Sequence, residues 1–424
     1  MLWLDDAGDR FQSARVADFA GARRGTPRSV AVAIPVKNES ERLANCLTAL
    51  ALQTDRRGRA LDPDSICVVV FANNCTDDSA PLARSLAERL RLNVRVVEAC
   101  LPAAEAHAGN ARRAAMDIAE SWLAQKDART GVILTTDADS QAPPLWIADN
   151  LAAFDCGADA VLGQVDLDEE GALLPQALKT RGQRESDYQA LLTELSARLD
   201  PVDFNPWPHH ATISGASLAV ARDAYLRVGG LPRVPLGEDK ALVAELFRCD
   251  ARIRYSPDIV VTTSGRLKGR APGGVADTLR LRCSDLEAPC DEALEPLCVA
   301  IDRATWRGRL RRLHRRGRLA RHLEWADSLG ITPSDARRFA QSAHFGAAWS
   351  AIESASPRLT RRSLAPSELP DQISSAERAL RQLRKNALST PQDVEPEVGI
   401  SIAAENERGP PQSCDEEFGG LVAS

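Results

Sequence analysis

The chain has 424 residues, 44% of them hydrophobic and 26% charged, with a formal net charge of −6. This length suits one large catalytic domain with an appendage, and the apolar share is enough to bury a sizeable core. The mild negative charge speaks against a nucleic-acid partner, and the sequence contains no run of about 18 apolar residues that would span a membrane.

Residues 1–28 are polar and rich in Arg and Gly, and read as a leader. Ser29 to Val36 (SVAVAIPV) is a continuous apolar run of the kind found in a buried parallel strand. Asn38, Glu39 and Ser40 open a helix whose apolar positions Leu43, Cys46, Leu47 and Leu50 form one stripe. A second buried strand is predicted over Ser65 to Phe71. It ends in the polar turn ANNCTDDS, where Asp77 and Asp78 cap a helix over Pro81 to Leu90. A third strand, Asn93 to Glu98, leads to a helix around Ala108 to Gln125. The fourth, Gly131 to Thr136, ends at Asp137-Ala138-Asp139. Such strand–helix alternation predicts an α/β sheet with right-handed crossovers, which binds ligands beyond the carboxyl ends of its strands. Lys37-Asn38-Glu39, Asn73-Asn74 and Asp137-Ala138-Asp139 all fall at such ends.

The second half begins with a strand over Ala160 to Val165 and a helix over Thr180 to Leu199. The loop PVDFNPWPHH follows, then a small-residue strand from Ile213 to Ala221. Beyond Gly229-Gly230 and Gly237-Glu238-Asp239 come a helix over Lys240 to Arg248 and the strand RIRYSPDIVVTTS. From about Asp277 to Ser354 the pattern is helical, with a strongly basic stretch at Arg307 to Arg321. Ser, Pro and Glu then take over, and little fixed structure is expected from about residue 388. The expected organisation is a leader (1–28), an α/β domain (29–275), a helical appendage (276–355) and a largely disordered tail (356–424).

Ten cysteines stand without a C-x-x-C pair, and several, such as Cys67 in ICVVVF, lie inside apolar runs. Free thiols in a reducing cytoplasm are expected, not a disulfide framework or a zinc site. The opening MLWLDDAGDRFQ lacks the basic-then-apolar pattern of a secretory signal, which agrees with a cytoplasmic location.

Asp137 and Asp139 carry the sharpest chemical signal. Two carboxylates one residue apart past a buried strand repel each other unless a divalent cation neutralises them. Hard oxygen ligands with open coordination suit Mn2+ or Mg2+, which also take diphosphate oxygens. A capped turn before Pro143-Pro144 is the plain alternative. A phosphatase of the haloacid dehalogenase type is disfavoured, because Ser140 is followed by Gln141-Ala142-Pro143 and three strand–helix units come first.

Taken in order, these segments resemble glycosyltransferase family 2. VAVAIPVKNESERLANCLTALALQT resembles its opening strand and helix, and ICVVVFANNCTDDSA its second strand and base-holding turn. AHAGNARRAAMD resembles the segment beside the nucleotide, and ILTTDADS the D-x-D motif. SGASLAVARDAYLRVGGLP with PLGEDKAL resembles the acceptor side and its Glu-Asp pair. The resemblance covers roughly residues 29–270. It implies a GT-A fold, a Rossmann-like mixed sheet flanked by helices, here with a C-terminal helical appendage and disordered tail. It also implies hexosyl transfer, with inversion, from a UDP- or GDP-sugar.

The resemblance implies residue roles as well. Pro35, Val36 and Glu39 line the nucleoside pocket, and Asn73 contacts the base. Arg112 lies near the diphosphate, with Gly109 permitting close backbone approach. Asp139 is the main metal ligand, and Asp137 faces ribose and metal. Asp239, with Glu238 beside it, is the expected general base. Ser214 and Gly215 fall on the acceptor side, and the loop with Trp207 and His210 reads, from its residues alone, as one that touches an acceptor. Plain readings stand beside these: Arg112 and Arg113 as an exposed helix face, Glu238-Asp239 as an acidic first helical turn, and His209-His210 as surface. Arg266, Lys268 and Arg270 read equally as a loop closing over a diphosphate or as a solvated loop.

Three departures from the family pattern stand out. Asn73 replaces the usual Asp, no His lies between His210 and His314 to serve as a further metal ligand, and the membrane helices of many relatives are missing. The Arg-rich stretch offers at most a weak contact with an anionic membrane surface. The rival readings are a catalytically silent scaffold of the same fold and a nucleotidyltransferase. A dehydrogenase is disfavoured because no G-x-G-x-x-G follows the first strand.

Overall fold

The computed structural model describes residues 28–126, 130–168, 173–269 and 273–389. The expected leader, apart from Arg28, and the sequence beyond 389 lie outside the described residues, as does Arg270.

One sheet organises the first two-thirds of the chain. Its strands are β1 (Val30–Val36), β2 (Ile66–Asn73), β3 (Val94–Ala99), β4 (Val132–Thr135), β5 (Ala160–Leu167), β6 (Leu218–Ala221) and β7 (Ile253–Thr263). They lie in the order β3-β2-β1-β4-β6-β5-β7. β6 is antiparallel to both of its neighbours, while the other pairings are parallel. The expected mixed α/β sheet is therefore the architecture observed.

The composition of β1 explains the layering. Val30, Val32, Ile34 and Val36 point to one face, where α1 (Leu43–Ala51), α2 (Ser79–Leu90) and α4 (Trp146–Asp155) add Leu43, Leu47, Ala83, Leu86, Trp146 and Ile147. Ala31 and Ala33 point to the other face, against Ala111, Ala115 and Ala119 of α3 (Ala108–Gln125). Small residues on both surfaces let α3 lie close to the sheet, so its polar side chains can reach the strand ends. Each fully buried Leu or Ile in these layers contributes roughly 1.5–3 kcal/mol of transfer free energy. The α3 face is completed by α6 (Arg222–Arg227) and α7 (Glu238–Arg248).

β6 is shorter than the predicted strand. Residues 213–217 form a loop and a tight turn in which Ser214 Oγ accepts the Ala216 N–H at 3.2 Å. The backbone of Gly215 is bonded to side chains instead of the ladder, as described below.

The C-terminal region is helical, as expected, with α8 (Val275–Ser284), α9 (Leu297–Arg315), α10 (Glu324–Ser328), α11 (Pro333–Ala340) and α12 (Phe345–Ala355). The expectation of a largely disordered tail from 356 needs correction over 369–389, where α13 (Leu369–Ser389) forms. Leu369, Ala376, Ala379 and Leu380 are buried against Tyr188, Leu192 and Leu195 of α5 (Gln176–Leu199). That apolar stripe outweighs the Ser- and Glu-rich composition, and Arg384 Nε donates to Glu194 Oε1 at 2.9 Å.

The basic helix α9 turns several arginines inward. Arg303 is buried on Glu295, with bonds of 3.0 and 2.9 Å, and Arg307 and Arg311 both hold Asp200. Among the described residues, no helix is long and apolar enough to cross a membrane.

The appendage meets the α/β domain at α7. Asp250, just past that helix, accepts the N–H groups of Phe345 (2.8 Å) and Gly346 (2.7 Å) and so caps α12. A β-carbon on Gly346 would collide with the Phe247 carbonyl of α7.

Candidate active site

Two loops beyond β1 and β2 brace each other. Asn38 takes a left-handed conformation (φ 54°) and its Oδ1 accepts the Thr76 N–H at 2.7 Å. The Glu39 N–H donates to Ser79 Oγ at 2.9 Å, and the Ser40 N–H donates to Asp77 Oδ2 at 3.0 Å. Burial alone would raise the Asp77 pKa, but hydrogen bonds from Ser79 and Ser40 outweigh it and hold the carboxyl at about 2. Asp77 is thus a fixed brace between the loops. Val36 is buried in the core, Pro35 is half-buried, and Glu39 is buried. Asn73, at the end of β2, is buried with its side-chain oxygen lacking a hydrogen-bond partner among the described residues.

Arg112 stands at the centre of the site and is buried, not surface-exposed. Its Nε donates to Glu238 Oε1 at 2.9 Å and its Nη2 to Asp137 Oδ1 at 2.6 Å. Nη1 donates to Thr135 Oγ1 at 2.7 Å and to the Gly215 carbonyl at 3.0 Å. Desolvation works against the charge, but the Asp137 and Glu238 carboxylates overcome it and raise the guanidinium pKa further. Arg112 is therefore a strut joining the D-x-D turn to the Glu-Asp pair, with its guanidinium engaged by the protein itself. Gly109 likewise makes room for protein: a β-carbon there would strike the Val234 carbonyl.

Gly215 is the second hinge of this arrangement. Its carbonyl accepts from Arg112, and its N–H donates to Asp239 Oδ2 at 2.9 Å. A β-carbon at Gly215 would lie 2.5 Å from Arg112 Cζ. Glu238 is buried on Arg112, whereas Asp239 is only half-buried at the start of α7. Burial, then the neighbouring Glu238, push the Asp239 pKa up.

Asp139 lies across the turn from Asp137. Burial, then Asp137, raise its pKa to about 6, despite the opposing charge of Arg266. Arg266, just past β7, places Nη2 3.0 Å from Asp139 Oδ2 and donates from Nη1 to Glu39 Oε2 at 2.8 Å. Thr263 Oγ1 also donates to Asp139 at 3.4 Å. A cavity of about 300 Å3 lined by Glu41, Arg42, Asn45, Asp139, Gln141 and Asp168 opens beside it. Among the described residues, no three His, Cys, Asp or Glu side chains converge to hold a metal ion. A cation at Asp139 would therefore draw its other oxygens from a diphosphate and water.

The structure thus brings together Glu39, Arg112, Asp137, Asp139, Gly215, Glu238 and Asp239. It does not add Trp207 or His210. His210 Nε2 lies 3.1 Å from the Leu162 carbonyl and 3.2 Å from that of Ser256, while Nδ1 accepts the Thr212 N–H at 3.0 Å. The ring bridges β5 and β7 as a structural part. Trp207 packs edge-on against His209, with centroids 5.7 Å apart. Thr135 and Thr263 were not legible as site residues, since each reads as the end of a β-branched run. Arg266 had a signal in its basic loop, but its pairing with Glu39 spans 227 residues.

A mixed sheet with a braced carboxylate cluster beyond its strand ends is the arrangement that the resemblance to a GT-A fold led one to expect. Residues 31–200 match the model of glycosyl transferase family 2, and this segment carries that family's domain. The match includes Asp137 and Asp139, while Gly215, Glu238, Asp239 and Arg266 lie beyond it.

Solved structures similar to the chain include S. aureus TarS 1-349 in complex with UDP-GlcNAc (16% identity, TM-score 0.40, 77% of this chain and 91% of that one). Another is the mannosyltransferase PcManGT from Pyrobaculum calidifontis in complex with GDP-Man and Mn2+ (20%, 0.38, 85% and 84%). A third is glucosyl-3-phosphoglycerate synthase from Mycobacterium tuberculosis with Mn2+, UDP-glucose and phosphoglyceric acid (19%, 0.34, 62% and 83%). No curated protein matches the chain.

Proposed function

We propose that the chain transfers a sugar, with inversion, from a UDP- or GDP-sugar to an acceptor hydroxyl. The observation that carries this reading is the Arg112 strut. It ties Asp137 to Glu238, and so sets the D-x-D turn and Asp239 at one end of the sheet. Asp139, with Asp137 beside it, would hold Mn2+ or Mg2+, which neutralises charge on the departing diphosphate. Asn73 offers an unpartnered buried oxygen for the base, and the polar atoms of the β1 and β2 loops are fixed beside it.

Asp239 is the general base. Its raised pKa suits a carboxylate that must accept a proton. As the acceptor oxygen attacks the anomeric carbon, its proton passes to Asp239 and the nucleoside diphosphate leaves with the bonding electrons. The described cysteines are all free, which suits a reducing compartment such as the cytoplasm.

A thermal-shift panel of UDP-, GDP- and dTDP-sugars, each with Mn2+ and then with chelator, tests the reading. A shift for one nucleotide that chelator removes, and that Asp139→Ala abolishes, supports it. No shift with any donor would move the assignment to a silent scaffold of the same fold.

A further inference from the structure

Arg266 joins two parts of the site that the chain otherwise keeps separate. Its guanidinium binds Glu39, beyond β1, through both Nη atoms, with Nη1 at 2.8 Å, and Nη2 also reaches Asp139, beyond β4, at 3.0 Å. All three side chains are largely shielded, at 13% exposure for Arg266, 7% for Glu39 and 17% for Asp139. The backbone beneath is fixed: the Gly265 N–H donates to Asp168 Oδ1 at 2.9 Å, and the Arg266 N–H to Ser264 Oγ at 3.3 Å. This is a built ion-pair cluster.

Two physical consequences follow. A divalent cation on Asp139 Oδ2 and the Arg266 guanidinium compete for one oxygen, and as like charges they repel. A planar guanidinium released at this edge is also shaped to pair bidentately with a phosphate.

We propose that Arg266 is a donor-gated cation: it holds Asp139 to Glu39 until a nucleotide diphosphate arrives with its divalent ion, and then moves onto that diphosphate. Asp139 therefore takes metal in company with the donor and resists metal alone. The inference rests on the donor reading above and adds a positioning residue to it.

The test is Mn2+ binding to the full chain, followed by electron paramagnetic resonance without nucleotide, and calorimetry of UDP and GDP in the presence of Mn2+. Arg266→Gln is expected to bind Mn2+ alone about tenfold more tightly than the native chain and to bind the nucleotide about tenfold more weakly. Arg266→Lys keeps the charge without the fork, so it should retain weak Mn2+ binding and lose nucleotide affinity. It also carries the test if Arg266→Gln fails to fold. Equal Mn2+ affinity in native and Arg266→Gln protein overturns the proposal. Failure of every form to bind UDP or GDP instead overturns the donor reading, and the Mn2+ comparison without nucleotide then still decides whether Arg266 guards Asp139.

Discussion

Arg112 and Glu238 are separated by 126 residues in sequence and by 2.9 Å in the fold, as a buried ion pair. Breaking such a pair from one side leaves the other charge uncompensated. Arg112→Met should therefore cost roughly 3–5 kcal/mol in urea unfolding. Arg112→Lys should recover only part of this, because an ammonium cannot reproduce the fork that reaches Glu238, Thr135, Gly215 and Asp137 together. Full stability in Arg112→Met would remove the strut from the account.

Gly215 owes its identity to the same guanidinium. Gly215→Ala should destabilise the chain by roughly 1–3 kcal/mol, as overpacking does. It should also reduce transfer, since the Arg112 that the new methyl group displaces aligns Asp137. A melting curve and a transfer assay on one preparation check both parts.

Asp239→Asn should leave donor binding in place and lower transfer by roughly 10²–10⁴-fold, the usual contribution of a general base. The native rate should fall as pH drops and protonates Asp239, whose pKa is raised by burial and Glu238. With donor and Mn2+ saturating, so that the metal keeps Asp139 ionised although its pKa in the free site is about 6, the variant should lose the part of the acid limb that Asp239 supplies. An unchanged pH profile in Asp239→Asn would assign the base elsewhere.

His210 predicts an acid weakness in stability. Burial, above all, lowers its pKa from 6.5 to about 4, against the favourable carbonyls of Ser256 and Leu162. Protonation would put a hydrogen on Nδ1, which now accepts the Thr212 N–H. The folded state thus prefers the neutral ring. Its contribution is complete above pH 6.5 and is lost progressively as pH falls towards 4, by roughly 3 kcal/mol at about 1.4 kcal/mol per pKa unit. Melting temperatures of native protein and His210→Gln between those limits should converge as the pH falls.

The strand ends were readable because buried β-branched runs such as VAVAIPV and ICVVVF stop abruptly at polar residues. Asp137, Asp139, Glu238 and Asp239 stood out for the same reason, as charges where the apolar pattern breaks. Arg112 was named only through the family resemblance, as a diphosphate contact; its role as a strut was not legible, since its partners lie 23, 25, 103 and 126 residues away and only the folded sheet assembles them. His210 drew attention because an aromatic, Pro-rich loop suggests ligand contact; in the fold its ring ties β5 to β7. The helix at Leu369–Ser389 was hidden by composition, although its apolar stripe was present.

The contact between α7 and α12 ties the C-terminal helices to the helix that carries the proposed base. The proposed base stands at one end of α7, and the other end is clasped by Asp250, Phe345 and Gly346. A lever held at its far end moves its near end little. The appendage can therefore set the aim of Asp239 without approaching the sugar, and cutting the chain near residue 275 would loosen the very helix that the remaining domain needs.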